Sequence, residues 1–292
     1  MTTRTINHFG LSGGKDSTAL WGWAINESGY SIESIRGSFA DTENEYPEVY
    51  EQIRALDAYG QARGVAPVRW MKSMGFLRLA IWKQRFPSSM ARFCTDWLKI
   101  RPSIAYIQEL WLDGYEVISH SGVRRDESVQ RSMLDEWDYS EPMKSKVRRP
   151  LLDWSIGDVW DAHKEWGIPI NPLYKQGWKR VGCRLCCMSG KEDVRRTAKK
   201  RPEVIDEYRE WERLVGLARP HAGIATFFPA TAIPNAQHSK RYTNRKGVEY
   251  TIGTIDDVVR WSKTLRGGVQ SGFDFMFQED DDGAKCMSGY CE

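Results

Sequence analysis

An α/β fold, a parallel twisted sheet sandwiched by helices with a helical C-terminal extension, is what the sequence predicts. Three observations carry it. Short apolar strand segments alternate with helical ones through about residue 120, Gly-rich or acidic loops follow several of the strands, and the pattern turns mainly helical beyond Ser155. Strands separated by helices of this length pair in parallel and are covered on both faces.

Residues 5–11 alternate and end apolar, as a short buried strand does. Gly13 and Gly14 break it, and residues 16–24 have helical character with Leu20, Trp21 and Trp23. Residues 32–39 form a second strand, followed by the acidic loop Asp41, Thr42, Glu43, Asn44 and Glu45. Pro47 opens a helix running to about Arg63, with Val49, Ile53, Leu56 and Tyr59 on one face. Residues 65–71 are a third strand, whose paired part Pro67 confines to its later residues. Residues 95–112 read as a helix whose start Pro102 leaves open, and 116–120 as a fourth strand ending in the loop Gly122, Val123, Arg124 and Arg125.

After Ser155 a helical pattern carries Ile156, Val159, Trp160 and His163, and an irregular stretch runs from Pro169 to Gly190. One long charged helix is expected over about 191–217. The division is a core domain over 1–190 and a helical C-terminal region with a Cys-containing tail over 191–292. In sheets of this kind ligands sit at the carboxyl ends of strands. The Gly13–Gly14, Asp41 and Gly122 loops all leave such ends, so one crevice can receive all three.

The 292 residues, 41% hydrophobic and 28% charged, describe an ordinary globular protein. No apolar run approaches the length that crosses a bilayer, and the N-terminus lacks an apolar signal core. A cytoplasmic protein without membrane contact is expected. The formal net charge of +3 does not by itself indicate nucleic acid. Local basic clusters matter more: Arg148–Arg149, then Arg195–Arg196 with Lys199, Lys200 and Arg201, each read as a solvated helix face or a phosphate-contacting patch. Of the 13 Trp, most should pack and one or two could stack on bases. Six unevenly spaced cysteines in a cytosolic chain point to metal or redox chemistry before structural disulfides.

Ser12, Gly13, Gly14, Lys15, Asp16 and Ser17 occupy the first strand-to-helix junction. Holding a polyphosphate there requires a sharp turn, inward N–H groups and a helix N-terminus facing the anion. The two glycines permit the turn and the close approach. Ser12, Ser17 and Thr18 add hydroxyls, Lys15 adds charge, and the helix start supplies its dipole. Asp16 is the odd member beside phosphate, and is read as the helix N-cap with a second role near Mg²⁺. The pattern differs from the common GxxxxGK[ST] loop.

At these residues the chain resembles a known family. Ser12–Ser17 looks like the pyrophosphate loop of the ATP pyrophosphatases. Asp41-Thr42, the run Arg92 to Lys99, Gly122 to Ser128 with Arg131, Pro150 to Ser155, Asp158-Val159-Trp160, Asn171-Pro172-Leu173-Tyr174 and Gly182 to Cys186 narrow it to the phosphoadenosine phosphosulfate (PAPS) reductase-like branch. The resemblance covers about residues 5–215 and implies an adenine nucleotide alpha hydrolase-like fold. Reductases of the family typically have a degenerate loop and a Glu-Cys-Gly tail, whereas this chain keeps the full loop and ends Gly289, Tyr290, Cys291, Glu292. It therefore looks more like the members that hydrolyse ATP to AMP and pyrophosphate, whose best-known examples serve DNA phosphorothioation (DndC- and SspD-type), with phage and mobile-element relatives.

That likeness implies ATP and Mg²⁺ as cofactors, with Lys15, Asp16, Lys99, Arg124 and Arg125 as catalytic residues. It implies Ser12, Gly13, Gly14, Lys15, Asp16, Ser17, Asp41, Thr42 and Gly122 as nucleotide contacts. Arg124 and Arg125 could instead form surface ion pairs with Asp126 or Glu127. Cys183-x-x-Cys186 is a metal-ligand spacing with Cys94 as third member, and iron–sulfur members of the family hold a [4Fe–4S] cluster at those positions. Cys291, Cys286 or Cys187 could supply the fourth thiolate. A zinc site, free thiols or a Cys286–Cys291 redox pair are the alternatives. The function implied is adenylation of a substrate for sulfur transfer, with a nucleic-acid (DNA) acceptor and a sulfur donor such as a cysteine desulfurase. A PAPS or adenylyl-sulfate reductase is the runner-up, and a non-catalytic nucleic-acid-binding accessory subunit the third reading. An oligomer is compatible with the sequence.

Overall fold

The computed structural model describes residues 4–220, 223–244 and 246–264. The described residues form two compact units, one from residues up to Ser73 with Thr95–Cys183, the other from Met74–Cys94 with Arg184 to Thr264.

The first unit is built on a six-stranded sheet in the order β3-β2-β1-β4-β6-β5. Its strands are β1 (Arg4–Gly10), β2 (Ile35–Asp41), β3 (Arg69–Lys72), β4 (Tyr115–His120), β5 (Trp137–Ser140) and β6 (Ser145–Arg148). All neighbours pair in parallel except β5, which turns back on β6 as an antiparallel edge. That hairpin is not legible in the sequence: its strands span only four residues each, and β5 is largely exposed, so no apolar alternation marks it. β3 pairs only from Arg69, as Pro67 requires.

β1 shows why both faces are covered. Ile6 joins a core with Ile107, Leu110, Val117 and Met143, and His8 meets Tyr106 edge-on, so both face the helix Arg101–Leu112. Phe9 points the other way, onto Trp21 of α1 (Lys15–Asn26). Trp21 is fully buried between α1, β2 and α2 (Pro47–Gln61), and donates to Leu56 O at 3.0 Å. A Cβ on Gly37 or Gly60 would stand 3.0 or 2.9 Å from its ring, so those glycines make room for it.

The chain leaves β1 for β2 and β3 on one side, then returns to β4 on the other. The order thus reverses between β1 and β4, the place where a crevice opens at the strand carboxyl ends. The loops after β1 and β4 flank it.

The second unit has its own aromatic core. Phe76 of α3 (Phe76–Lys83) stacks on Trp211 at 5.6 Å, and Phe86, Tyr208 and Phe227 close around them. The single charged helix expected over 191–217 is two: Lys191–Lys200 and Pro202–Leu217. Pro202 forces the break, because a residue before proline is pushed out of the helical region, and Arg201 sits at φ −142°, ψ 60°. A short hairpin, β7 (Lys240–Thr243) with β8 (Glu249–Ile252), precedes the helix Ile255–Ser262. Glu212 ties these parts together: its buried carboxylate accepts from Phe227 N at 2.8 Å and from Ile255 N at 3.0 Å. Burial pushes that carboxyl up to about 7, against the two backbone N–H groups.

Candidate active site

The loop after β1 is held by its own serines. Ser12 and Ser17 bring their hydroxyls to 2.9 Å, Ser17 Oγ lies 3.1 Å from Gly14 O, and Gly14 N donates to Ser12 Oγ at 3.3 Å. Gly13 takes φ +76°, a left-handed conformation that favours glycine. The loop is also clamped from a distance. Asn171 Nδ2 donates to Gly13 O at 3.2 Å, and Lys15 N donates to the Tyr174 hydroxyl at 2.8 Å. Asn171 caps the one-turn helix Pro172–Lys175 and Tyr174 lies within it, so the Asn-Pro-Leu-Tyr run works as the buttress of a loop 159 residues earlier in the chain.

Gly14, with no side-chain cap, is the N-cap of α1. Asp16 therefore is not the cap that the sequence suggested. It lies in the first helical turn at 1% exposure, with Oδ2 on Lys15 Nζ at 2.5 Å and Oδ1 on Arg124 Nε at 2.7 Å. Burial alone would raise its carboxyl, but the field and hydrogen bond of Lys15, with those of Arg124, hold it below the ordinary carboxylate range. Arg124 also binds Asp126 through Nη1 at 2.6 Å, so its buried guanidinium sits between two carboxylates. Gly122 brings the β4 loop against α1: a Cβ there would be 3.0 Å from Asp16 O.

Arg125 goes elsewhere. Its Nε binds Asp153 at 2.6 Å and its Nη1 donates to Ser132 O and Leu134 O, none of which belongs to the phosphate loop. Its neighbourhood is that of an ion pair at the loop's outer side.

The acidic loop after β2 is a second polar cluster. Asp41 Oδ1 accepts from Tyr50 Oη at 2.9 Å and from Glu43 N at 2.9 Å. Thr42 Oγ1 donates to Glu45 Oε1 at 2.6 Å, and Asn44 N donates to Oε2 at 3.1 Å. Burial raises the Glu45 carboxyl; the hydrogen bond from Thr42 and the field of Lys99 act against it. Lys99 stands in a π-helical turn, Asp96–Ile100, inserted before the helix Arg101–Leu112. Such turns occur often at functional sites. Pro102 leaves the start of this helix unreadable from sequence, and Glu45 stands there only as a member of the acidic loop.

Two residues gained meaning only from the structure. Tyr174 belonged to a quoted motif without a role. His163 looked like a helix-face residue, yet it is buried beside α1, with Asp16 close enough to pull its imidazole up while burial takes it down to about 4.

Cys94, Cys183 and Cys186 are half-buried. Cys187, Cys186 and Cys94 lie near one another: the hydrogen bond to Cys186, then burial, push the Cys187 thiol far up, with Cys94 adding to the rise and Arg92 opposing it. Cys286 and Cys291 lie outside the described residues. Among the described residues no group of three or more His, Cys, Asp or Glu is arranged to hold a metal ion.

A family model described as phosphoadenosine phosphosulfate reductase domain matches residues 7–189. An uncharacterized 37.8 kDa protein of Escherichia phage 186 is 34% identical over 99% of this chain and 97% of its own length. The adenosine 5'-phosphosulfate reductase of Lysinibacillus sphaericus is 28% identical over 51% of this chain and 60% of its own. Among solved structures, a phosphoadenylyl-sulfate reductase from Candida auris in a phosphate complex is similar at a TM-score of 0.44, with 19% identity over 61% of this chain and 80% of that one.

Proposed function

The chain belongs to the phosphoadenosine phosphosulfate reductase domain family, and from that membership we propose that it cleaves ATP between the α- and β-phosphates to activate an acceptor for sulfur transfer. The observation that carries this reading is the intact loop Ser12–Ser17, buttressed by Asn171 and Tyr174, with Lys15 and Arg124 converging on Asp16.

An acceptor oxygen attacks the α-phosphorus, the bond to the bridging oxygen breaks, and pyrophosphate leaves with the charge. A sulfur nucleophile then displaces AMP from the adenylated acceptor. The loop's backbone and Lys15 hold the leaving pyrophosphate, and Lys99 offsets charge at the α-phosphate. Arg124 fixes Asp16 and through it the start of α1. Asp41 and Thr42, at the carboxyl end of β2, are placed as an acidic residue is for ribose hydroxyls in related sheets. Asp16 has both oxygens engaged, so Mg²⁺ would arrive on the polyphosphate and add positive charge to the leaving group. Among the described residues the cysteines do not form a ligand set for an iron–sulfur cluster on their own.

A nucleic-acid acceptor is supported by where the positive charge lies. Met74–Cys94 carries Arg78, Lys83, Arg85 and Arg92 and no Asp or Glu. On the helix Lys191–Lys200, Arg195 and Lys199 are exposed and form no ion pair among the described residues. Such cations suit a phosphate backbone. A donor such as a cysteine desulfurase would supply the sulfur as a persulfide, whose terminal sulfur attacks the phosphorus as AMP leaves, and a thiol then reduces the disulfide so formed to free the new P–S group.

The test is turnover of ATP with Mg²⁺, with and without DNA, under anaerobic conditions. Wild type should consume ATP and Lys15→Ala should not, with its fold intact; equal consumption by both would refute the loop assignment. Arg195→Ala with Lys199→Ala should weaken DNA binding and flatten its salt dependence by about two phosphate contacts. Similarity to a reductase over half the chain supports a second reading, reduction of an adenylyl sulfate, which thioredoxin-dependent turnover without ATP cleavage would favour. DNA binding with neither activity would leave the accessory-subunit reading.

A further inference from the structure

Among the described residues, one side chain buries two polar atoms that lack any hydrogen-bond partner. It is His163, 2% exposed, with Nδ1 and Nε2 both unsatisfied. A neutral imidazole has one N–H donor and one acceptor nitrogen, and each buried unpaired group costs roughly 1–3 kcal/mol. An apolar side chain in this place would avoid the cost, so the ring needs another reason to be there.

Its surroundings supply one. The helix Ile156–Glu165, which carries His163, packs against α1. The imidazole meets Trp160 edge-on at 5.2 Å, Trp160 meets Tyr174 edge-on at 5.2 Å, and the Tyr174 hydroxyl accepts the Lys15 N–H. His163 thus stands behind the phosphate loop, within the electrostatic reach of Asp16.

Asp16 presents the complementary need. Its Oδ2 is held by Lys15 Nζ, the same ammonium that the loop would direct to a polyphosphate. When Lys15 moves to the phosphates, a carboxylate at 1% exposure keeps only Arg124. Removing one partner of a buried ion pair is strongly unfavourable.

We propose that His163 is a positioning residue that takes the place of Lys15 on Asp16: as the lysine turns to the bound polyphosphate, an imidazole N–H closes on the vacated Oδ2. The exchange moves hydrogen bonds and breaks no covalent bond. It lets Lys15 engage phosphate without leaving a half-paired carboxylate behind, and keeps Arg124 anchored to Asp16 meanwhile. The inference rests on the reading of the loop as an ATP site, and its test separates the two.

The full chain, labelled with ¹⁵N-histidine, contains only five histidines, and His163→Gln identifies the His163 ring signals. Lys15→Met removes the ammonium without any nucleotide. It should move the His163 ring nitrogens and bring a ring N–H proton into slow exchange. Wild type with Mg²⁺ and α,β-methylene-ATP should reach the same signals. A shift in Lys15→Met without a shift on adding the analogue would support the exchange and sink the ATP reading. An unchanged His163 in Lys15→Met overturns the exchange, whatever the ATP turnover. In kinetics, His163→Phe keeps the ring volume and loses the donor, so kcat should fall about tenfold at unchanged KM, about 1.4 kcal/mol. His163→Gln, which keeps an N–H donor, should recover most of it. Equal loss in both variants, or none in His163→Phe, would also overturn the exchange.

Discussion

Arg124 is the side chain on which the site turns. Its guanidinium is almost fully buried and joins Asp16, Asp126 and, through Asp16, Lys15 into one network. Arg124→Gln should lower stability by about 3 kcal/mol, since the buried Asp16 carboxylate would keep a single partner. Urea unfolding measures this, and a loss under about 1 kcal/mol would show the network to be weakly coupled. Arg124→Lys should not restore activity, because a single ammonium cannot serve both carboxylates with a fork. The sequence made Arg124 and Arg125 equal candidates. Nothing in two adjacent arginines says which points inward; the register of the turn after β4 decides it, and sends Arg125 to Asp153. Asp16 was misread for a similar reason. An aspartate near a helix start usually caps it, whereas here Gly14 is the cap and the carboxylate serves two cations from distant and neighbouring positions.

At the scale of elements, the loop following β4 and the first turn of α1 are locked together by contact of backbone on backbone. Gly122→Ala would drive a methyl to 3.0 Å from Asp16 O, which cannot yield as a flexible side chain would. ATP turnover should fall at least tenfold, with a stability loss of about 1–3 kcal/mol from the overpacking; undiminished turnover would mean the β4 loop and α1 need not touch. In the second unit, Glu212 joins two helices through backbone N–H groups. Its carboxyl is raised from 4.5 to about 7 by burial, so its contribution favours the fold below pH 4.5 and is lost as pH rises through 7. The size is on the order of 3 kcal/mol. Glu212→Gln should therefore melt higher than wild type at pH 8, with the advantage shrinking toward pH 5; a constant difference across that range would contradict the assignment. The strands of the parallel sheet were legible because they are apolar and bounded by Gly, Pro or acidic loops. The edge hairpin β5–β6 and α3 were not: the first is too short and exposed, and the second lies in a basic segment rich in aromatics where no helical cap precedes Phe76.

At the scale of the whole molecule, two chemistries are carried by two compact units. The sheet unit holds the phosphate loop, the acidic loop and the arginine network, while the other gathers exposed cations and an aromatic core. The net charge of +3 hides that contrast because acidic and basic segments cancel in the sum, and of the basic clusters visible in the sequence Arg195–Arg196 with Lys199, Lys200 and Arg201 falls in the second unit. Ser12–Ser17, Gly122, Arg124 and Asn171–Tyr174, which its motifs contain, do meet, though they are far apart in the chain. What the motifs could not convey is the layer behind the loop, where Tyr174, Trp160 and His163 pack.

Cleavage at the α–β bond can be followed by ³¹P NMR of ATP and Mg²⁺ incubated anaerobically with the protein. Pyrophosphate and AMP signals should grow together in wild type and stay absent in Lys15→Ala. Growth of ADP and inorganic phosphate in their place would contradict it.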